Sequence, residues 1–537
     1  MLEGYRQRAI EIDRQSPYVN RQEGLGLDPA SLFPSELENL LITLHGELNE
    51  ERLLLLAERR ERQHAYDLGV TPKFEYDHIA RLIDWVVEPI PADLMDRRVE
   101  ITGPISVAKM VIQMLNPNLE GERACTAMLD FEDSMAPTWE NVMAGLQNIR
   151  GVAHKNLEVH QEGKSYRLNV DNMAHPMVRV RGLHMEESHV RVGGEAISAG
   201  LFDLTCTVFH TARLFLKDGK TPKFYVPKCE HYREARWWNR LFRALEDHLG
   251  LKRSSLRVTF LIETLPAAFQ MEEILYEIRE RACGLNGGRW DKIFSDIKTL
   301  RMHPDRVLAD RSYIDMTRPW MANYAKLLVR ICHRHGAFAM GGMAAFTPGK
   351  DEVSRQVQME KVIADKKRES QIGHDGCWVS HPFFIGVAKS QFPKPNQLSA
   401  IPRDLEPEPD LLPEPQGPKT LQGLRQNIRV GIAYQEGWDR GLGCIAFENL
   451  MEDLATLEIS RAQVWQWLHH QVILDDGTPV TPQLVHRLFD EECDRILMDQ
   501  AVSSPEQRQS FEKAKQKIRK VFLKENLADF YQTAIRS

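Results

Sequence analysis

The sequence of 537 residues lacks the features that mark membrane, secreted and nucleic-acid-binding proteins. It has no uninterrupted run of about 18 apolar residues, the length that a membrane-spanning helix requires. Its charged first residues, MLEGYRQRAIEIDR, contain no apolar stretch of the secretory type. The net charge of −7 argues against the concentrated basic face that binds phosphates. From these absences we expect that the protein binds no nucleic acid and is not located in a membrane.

Cysteine spacing also excludes a class of site. The eight cysteines are scattered, with no CxxC pair and no zinc-ligand spacing. In a chain of this size they indicate reduced thiols rather than a disulfide scaffold. The last residues, Ala-Ile-Arg-Ser, do not form a peroxisomal signal of the Ser-Lys-Leu type. We therefore expect a cytoplasmic protein, and we interpret the basic run Lys366-Lys367-Arg368 as a solvated helix face.

A regular alternation of β-prone and helical patterns fills residues 96–391. Amphipathic helices are predicted between short strands, at 106–116, 141–155, 199–217, 231–249, 266–280, 317–335 and 354–370. The predicted strands are 99–103, 125–130, 177–181, 223–227, 257–263, 282–287, 336–341 and 377–380. Eight parallel strands joined by helical crossovers predict an α/β fold, the (β/α)₈ TIM barrel.

Three further segments flank the predicted barrel. Residues 1–95 are predicted to be an N-terminal helical segment, because apolar positions recur at helical spacing in 35–65. Residues 392–419 hold eight of the 28 prolines, which predicts a semi-rigid linker. Helical patterns in 420–437, 447–470 and 482–535 predict an all-helical C-terminal domain spanning 420–537.

The run GLNGGRWDKIF, residues 284–294, is the most informative stretch. Its glycines let backbone amides approach a small ligand, and Asp291 adds a hard oxygen suited to Mg²⁺. Glu263 and Asp291 end consecutive strand–helix units. Neighbouring strands lie about 5 Å apart, so both carboxylates are expected to face one cavity.

The glycine-rich run is one of seven runs whose sequences and order resemble those of a known family. They are RRVEITGP (97–104), LDFEDSMAP (129–137), RVRGLH (179–184), LIETLPAAFQMEEI (261–274), the glycine-rich run, GAFAMGGMAAF (336–346) and LMEDLATLEISR (450–461). Together they resemble malate synthase in its shorter A isoform. The resemblance implies Claisen condensation of acetyl-CoA with glyoxylate, then hydrolysis of malyl-CoA to malate and CoA, in the glyoxylate cycle.

The resemblance also implies where glyoxylate binds. Glu263 and Asp291 would be the ligands of Mg²⁺, which polarises the glyoxylate aldehyde. The amides of Gly288, Arg289 and Trp290 would receive the glyoxylate carboxylate. For the side chain of Trp290, packing of the turn against the barrel is an equally good interpretation.

Two catalytic residues follow from the same resemblance. Arg179 would stabilise the enolate with its fixed positive charge; position alone does not distinguish it from Arg181, but the family match selects it. Asp453 would remove the methyl proton of acetyl-CoA, with Glu452 as its chemical rival. Because Asp453 lies beyond the linker, we expect the active site at the interface between the barrel and the C-terminal domain.

The acidic run DFEDS supplies supporting residues by resemblance. Glu132 would orient Arg179 through an ion pair, Asp133 would support the site, and Ser134 would contact acetyl-CoA.

The family pattern is not intact, because Arg281 stands where the family usually has histidine and Lys292 where it has tyrosine. Two alternatives stay open, the first because similar barrels share a Glu/Asp metal pair and the second because of these departures. One is a malyl-CoA or citramalyl-CoA lyase, whose shorter chains lack the LMEDLATLEIS domain. The other is a non-catalytic acyl-CoA-binding protein.

Overall fold

The computed structural model describes residues 9–13, 29–161 and 163–534. Residues 1–8 and 14–28 of the predicted N-terminal segment lie outside this part. The strands are β1 (Ile10–Ile12), β2 (Val99–Pro104), β3 (Thr126–Asp130), β4 (Glu158–Gln161), β5 (Lys164–Arg167), β6 (His175–Arg179), β7 (Glu186–Val192), β8 (Glu195–Ser198), β9 (Lys223–Val226), β10 (Arg257–Ile262), β11 (Ala282–Gly287), β12 (Phe338–Ala344), β13 (Gly376–Val379), β14 (Ile445–Phe447) and β15 (Leu450–Glu452).

The α-helices surround this sheet and build the C-terminal domain. They are α1 (Ser35–Asp67), α2 (Ala108–Leu115), α3 (Trp139–Ala153), α4 (Ala199–Lys217), α5 (Tyr232–His248), α6 (Leu265–Ala268), α7 (Met271–Glu277), α8 (Trp290–Thr299), α9 (Pro319–Arg334), α10 (Glu352–Ile372), α11 (Ile385–Lys389), α12 (Leu421–Asp439), α13 (Leu454–His469), α14 (Pro482–Asp499), α15 (Pro505–Phe522) and α16 (Tyr531–Ala534). Within residues 9–13, 29–161 and 163–534, no helix is long and apolar enough to cross a membrane.

Eight parallel strands close into a barrel in the order β2, β3, β6, β9, β10, β11, β12, β13. This order is their order along the chain, so the predicted TIM barrel is confirmed. The predicted helix 266–280 is divided into α6 and α7, and helix α8 after β11 is an addition to the predicted set. Hairpins β4–β5 and β7–β8 are inserted on either side of β6.

A paired polar network fills the barrel interior among apolar side chains. Arg97 donates to Glu100 at 2.8 Å and to the Tyr225 hydroxyl at 2.9 Å. Tyr225 and the Trp378 indole N–H donate to the other Glu100 oxygen at 2.6 and 3.0 Å. Met128, Met177 and Leu261 pack around them. Because both Glu100 oxygens are satisfied, this buried charge pair contributes to a rigid barrel.

The N-terminal helix α1 packs on the outside of the barrel. Leu37, Leu41, Leu44 and Leu48 recur at helical spacing and are buried. The carbonyl of Leu48 accepts the indole N–H of Trp237 on α5 at 2.9 Å. This arrangement confirms the predicted helix in residues 35–65.

The C-terminal domain has its own apolar core, formed mainly by α12–α15. The predicted helix 447–470 begins only at Leu454, because 445–452 form the hairpin β14–β15. A two-residue turn with positive φ at Glu448 and Asn449 joins the two strands, as in primed hairpin turns. The predicted helix 482–535 is divided into α14, α15 and the short α16.

The proline-rich stretch 392–419 has no helix or strand, but it lies against the barrel. Arg330 on α9 donates to the carbonyls of Leu405, Glu406 and Pro407 at 3.1, 2.8 and 2.7 Å. Leu411 is fully buried. The stretch is therefore held against the barrel at residues 405–411, and its role as a semi-rigid linker stays a prediction.

One prediction from charge pattern is wrong. Lys366, expected on a solvated helix face, is buried on α10 and pairs with Asp365 and Glu369, both at 3.0 Å. Burying its ammonium is tolerated because two carboxylates compensate the charge.

Candidate active site

A cavity opens at the carboxyl ends of the barrel strands, where TIM barrels carry their catalytic groups. It has a volume of about 760 Å³, including space open to solvent. Seven predicted site residues line it: Ser134, Arg179, Glu263, Gly288, Arg289, Trp290 and Asp291. Asp453 of the C-terminal domain lines the same cavity. Glu132 lies behind the lining and contacts Arg179 from there.

Packing between two helices fixes how the C-terminal domain meets the barrel. Helix α8 begins at the glycine turn and α13 begins just after Asp453. An apolar cluster joins the two helices through Ile293, Phe294 and Ile297 on one side and Ile459, Ala462 and Trp465 on the other. This interface therefore sets the distance between the turn and the Asp453 carboxylate.

Glu263 and Asp291 follow neighbouring strands and both are buried. Burial raises the pKa of Glu263, with Lys228 opposing the shift. Burial, reinforced by the negative charge of Asp133, raises the pKa of Asp291 well above its usual value. Two desolvated carboxylates that repel neighbouring negative charge would be stabilised by a bound cation.

The carboxylate oxygens of Glu263 and Asp291 suit a cation that keeps most of its bound water. Among residues 9–13, 29–161 and 163–534, no three His, Cys, Asp or Glu side chains form a closed metal cage. Asp291 Oδ1 is buried and accepts no hydrogen bond from a described residue. Proteins usually hold Mg²⁺ through one or two carboxylates, and here one carboxylate oxygen, Asp291 Oδ1, has no hydrogen-bond donor in the described part of the chain.

The glycine turn brings backbone close to Glu263. A Cβ on Gly288 would lie 3.2 Å from the Glu263 Cβ, so a side chain here would crowd the carboxylate. Gly288 donates its N–H to the Tyr324 hydroxyl at 3.0 Å. Gly288 is one of the three residues whose amides are expected to bind the glyoxylate carboxylate, and its amide therefore already donates to another group. The amides of Arg289 and Trp290 lie at the start of α8, where the helix end favours an anion.

The Trp290 ring contacts two arginines. The guanidinium carbon of Arg289 lies 3.9 Å from its centroid and that of Arg311 lies 5.7 Å away. Arg311 also donates to the Ser460 hydroxyl on α13 at 3.0 Å and pairs with Glu452 at 3.5 Å. The side chain of Trp290 thus connects the turn to Arg311, which in turn bonds to the C-terminal domain.

Arg179 ends β6 directly beside the end of β3. It makes a two-bond ion pair with Asp130, at 2.7 and 2.6 Å, and longer contacts of 3.5 Å with Glu132 and Asp133. The principal partner is therefore Asp130, with Glu132 secondary. Arg181 instead pairs with Asp203 and Glu187, both at 2.8 Å, and does not line the cavity.

Asp453 caps helix α13 and is 6% exposed. Its Oδ1 accepts the N–H of Thr456 at 3.4 Å, and its own N–H donates to the Thr456 hydroxyl at 3.1 Å. Burial raises the pKa of Asp453 to about 7; Asp133 adds to the shift, while Arg179 and Lys228 oppose it. The rival Glu452 is absent from the cavity lining and is paired with Arg311.

The acidic run at the end of β3 is fully engaged. Asp130 accepts the Ser134 hydroxyl at 2.6 Å. Burial and the charge of Asp133 raise the pKa of Glu132 well above its usual value. Asp133 behaves oppositely: burial alone would raise its pKa, but Lys228 and Arg179 lower it to about 2. The run therefore contains two neighbouring carboxylates with opposite proton affinities.

Lys228 is the site residue that the sequence interpretation missed. It follows β9, and its ammonium pairs with Glu132 at 2.8 Å and with Asp133 at 2.9 Å. The available signal was its position: Lys228 follows a barrel strand, as the predicted residues Glu132, Glu263 and Asp291 do.

The two departures from the family pattern lie in different places. Arg281 precedes β11 at the opposite end of the barrel, where it donates to Asn239 at 2.5 Å and pairs with Glu246 at 3.1 Å. Lys292 lies on α8 next to the turn, buried and paired with Asp296 at 2.5 Å. Both charges are compensated, and neither side chain lines the cavity.

Comparison with known proteins identifies the same two parts. The family model described as Malate synthase, TIM barrel domain matches residues 176–411, and Malate synthase, C-terminal matches 418–537. Malate synthase from Myxococcus xanthus is 46% identical over 477 residues, covering 87% of each chain. Malate synthase A from Escherichia coli is 42% identical over 514 residues, covering 94% of this chain and 95% of that protein. The glyoxysomal malate synthase of Candida tropicalis is 43% identical over 480 residues, 87% of this chain and 86% of its own. With its barrel, its C-terminal domain and these relatives in agreement, the chain belongs to the malate synthase family.

Proposed function

We propose that this chain condenses acetyl-CoA with glyoxylate in a Mg²⁺-dependent Claisen reaction and hydrolyses malyl-CoA to malate and CoA. One observation carries the proposal: the carboxylates of Glu263 and Asp291, the guanidinium of Arg179 and the carboxylate of Asp453 line one cavity. A cation site, an anion-stabilising charge and a carbon-acid base are the groups that this reaction requires.

Glu263 and Asp291 would hold Mg²⁺, with water and glyoxylate completing the coordination. When bound, Mg²⁺ supplies Lewis acidity towards the aldehyde oxygen of glyoxylate. The amides of Arg289 and Trp290 would hold the glyoxylate carboxylate, while Gly288 keeps its bond to Tyr324. Tyr324 in turn donates its hydroxyl to the Ile262 carbonyl, which anchors the turn to β10.

Asp453 begins the reaction by accepting a proton from the acetyl methyl group. A pKa of about 7 makes it a stronger base than an ordinary aspartate and leaves a large part ionised near neutrality. The C–H electron pair becomes the enolate, whose oxygen Arg179 stabilises. The enolate carbon then bonds to the aldehyde carbon, and the electron pair of the C=O π bond moves to the aldehyde oxygen, which takes up a proton from solvent to become the hydroxyl of malyl-CoA. Water cleaves the thioester of the resulting malyl-CoA, and CoA leaves as a thiol.

Substrate placement involves the acidic run and the interface. Asp130 holds Arg179 by two bonds and also holds the Ser134 hydroxyl, so Ser134 faces the cavity in a fixed position where it would contact acetyl-CoA. Glu132 contributes a second, longer contact to Arg179. We place the enzyme in the cytoplasm, in keeping with its eight free cysteines.

Two rival functions make different demands on the chain. A lyase of the malyl-CoA type needs the barrel but not the base on the C-terminal domain. A non-catalytic acyl-CoA-binding protein needs no carboxylate pair. The position of Asp453 in the cavity and the match of residues 418–537 to the malate synthase C-terminal domain favour the synthase.

Release of CoA thiol from acetyl-CoA and glyoxylate tests the proposal. The wild-type protein should release thiol only with Mg²⁺ present, and Glu263→Gln or Asp291→Asn should abolish that release because each removes a charged oxygen ligand. Asp305→Asn, a change at a mostly exposed carboxylate, is the control and should retain activity. Normal Mg²⁺-dependent turnover by either site variant would reject the metal ligands, and preferential cleavage of malyl-CoA would favour the lyase.

A further inference from the structure

Lys228 stands in an uncommon backbone conformation at the end of β9. Its φ of 52° lies in the left-handed region that residues with a side chain rarely adopt. In this conformation its N–H donates to Glu263 Oε1 at 2.8 Å. Its buried side chain, 3% exposed, points into the same group of carboxylates. One residue therefore presents both a main-chain donor and a positive charge to the candidate metal ligands.

The Lys228 ammonium is shared among four carboxylates. Asp133 accepts hydrogen bonds from it at 2.9 Å, and Glu132 Oε1 lies 2.8 Å away as an ion-pair partner. Asp291 Oδ1 lies 3.1 Å away, within ion-pair distance but without hydrogen-bond geometry, and Glu263 Oε1 lies 3.9 Å away. An ammonium has three N–H donors, so it cannot satisfy four carboxylates at once. Its two close partners lie in the acidic run, and its two distant ones are the candidate Mg²⁺ ligands.

We propose that Lys228 is a built-in counter-ion of the metal pocket. Its ammonium balances the charge of Glu263 and Asp291 when no divalent cation binds them, and it stays on Glu132 and Asp133 when one does. The role rests on the proposed function, since it requires Glu263 and Asp291 to bind Mg²⁺. Lys228 is a positioning residue in this scheme, because it acts on the metal through shared carboxylates.

Mg²⁺ and the Lys228 ammonium would compete for the same carboxylate oxygens. A divalent cation at Glu263 and Asp291 is repelled by an ammonium 3.1 Å from one ligand oxygen, so Lys228 should weaken Mg²⁺ binding. The same ammonium should hold the carboxylates together in metal-free protein. A purely structural lysine would instead stabilise the protein equally with and without Mg²⁺.

Lys228→Met separates these possibilities, because methionine keeps an unbranched side chain but removes the charge. Mg²⁺ binding is measured by calorimetry with the metal alone, and thermal unfolding is measured in EDTA and in saturating Mg²⁺. We expect the variant to bind Mg²⁺ more tightly, on the order of tenfold or more. Its melting temperature should fall more in EDTA than in Mg²⁺. Lys228→Arg, which keeps the charge, should show a much smaller difference between the two conditions.

Unchanged or weaker Mg²⁺ binding by Lys228→Met, or an equal loss of melting temperature in both conditions, would overturn the counter-ion role. If Lys228→Met does not fold, the double variant Lys228→Met with Asp133→Asn removes one charge of each sign. It should fold and bind Mg²⁺ at least as tightly as wild type, and weaker binding would contradict the proposal. Absence of Mg²⁺ binding by the wild-type protein would instead contradict the proposed function itself.

Discussion

Two buried charge networks lie at different depths of the same barrel. In the interior, Arg97 and Glu100 pair with each other, and Tyr225 and Trp378 complete the hydrogen bonds of the carboxylate. Burial alone would raise the pKa of Glu100, but Arg97 and the Tyr225 hydroxyl lower it. At the mouth, the carboxylates around Arg179 and Lys228 outnumber these two cations, and burial raises the pKa of Asp291 and Asp453.

The difference separates a structural network from a binding site. A buried pair with every oxygen satisfied needs nothing further, and its charges serve the fold. A buried group of carboxylates with excess negative charge destabilises the folded protein until a cation or a proton binds. Such a group is tolerated where a ligand supplies the compensating positive charge. Variants in the two networks should therefore change different measurements.

Among the variants that compare the two networks, the largest effect on activity is expected at Asp453. Asp453→Asn keeps the size of the side chain but cannot accept the methyl proton, so kcat should fall by on the order of 10²–10⁴-fold with little change in Mg²⁺ affinity. Steady-state kinetics measure the loss. Exchange of the acetyl-CoA methyl protons in D₂O, with a non-reacting glyoxylate analogue present, measures the base directly.

Glu452→Gln is the matched control for that variant. Glu452 lies one residue from Asp453 and is buried, but its carboxylate is paired with Arg311 outside the cavity. We expect the control to exchange methyl protons and Asp453→Asn not to. The opposite result would assign the base to Glu452.

Arg97→Met should break the interior network and affect stability rather than chemistry. Removing Arg97 leaves Glu100 as a buried charge without its partner, which typically costs about 3–5 kcal/mol of unfolding free energy. Urea denaturation measures this loss, and Mg²⁺ affinity should stay unchanged. The double variant Arg97→Met with Glu100→Gln removes both charges and should recover much of the stability. Equal losses in the single and double variants would show that the charge pair is not the cause.

The raised pKa of Asp453 predicts two opposite pH trends. Below about pH 7 the base is protonated, so kcat/KM should fall about tenfold per pH unit. The folded protein binds this proton more tightly than the unfolded chain does, so Asp453 lowers stability as the pH rises from about 4 to 7. At pH 8 Asp453→Asn should melt a few degrees above wild type. A melting temperature below wild type at pH 8, with normal stability at pH 5, would contradict the burial argument.

The barrel was predictable because its signals are local. Strand β11 and helix α4 have the bounds expected from sequence, since β11 is a short run that ends at the glycine turn and α4 is an amphipathic run that ends before Asp218 and Gly219. Strand β15 lies within the predicted helix 447–470, because LMED has no strand alternation and the deciding feature is the positive φ of Glu448 and Asn449. Turn conformations of this kind leave a weak trace in residue type unless glycine occupies them.

The site was predictable only where a motif marked it. Asp453 and Arg179 lie within family motifs, and both reach the cavity. The choice of Asp130 over Glu132 as the main partner of Arg179 depends on strand register, which places Asp130 beside Arg179. Lys228 meets partners 95 and 35 residues away in the chain, and no pattern around it indicates that its side chain is buried. Pairings of this kind come from the closed barrel rather than from any segment.

The smallest effect is expected in the proline-rich stretch, where charge serves only to hold chain against barrel. Arg330→Ala removes hydrogen bonds to the carbonyls of Leu405, Glu406 and Pro407, so limited proteolysis within 396–418 should become a few-fold faster. Lys326→Ala, which breaks an ion pair with exposed Asp404, is the control and should change the rate less. Mass spectrometry locates the cut, and thiol release should fall only when the part carrying Asp453 separates from the barrel. First cleavage elsewhere in Arg330→Ala would contradict the role of Arg330 in holding this stretch, and full activity of a barrel fragment ending before residue 396 would reject a site shared by the two domains.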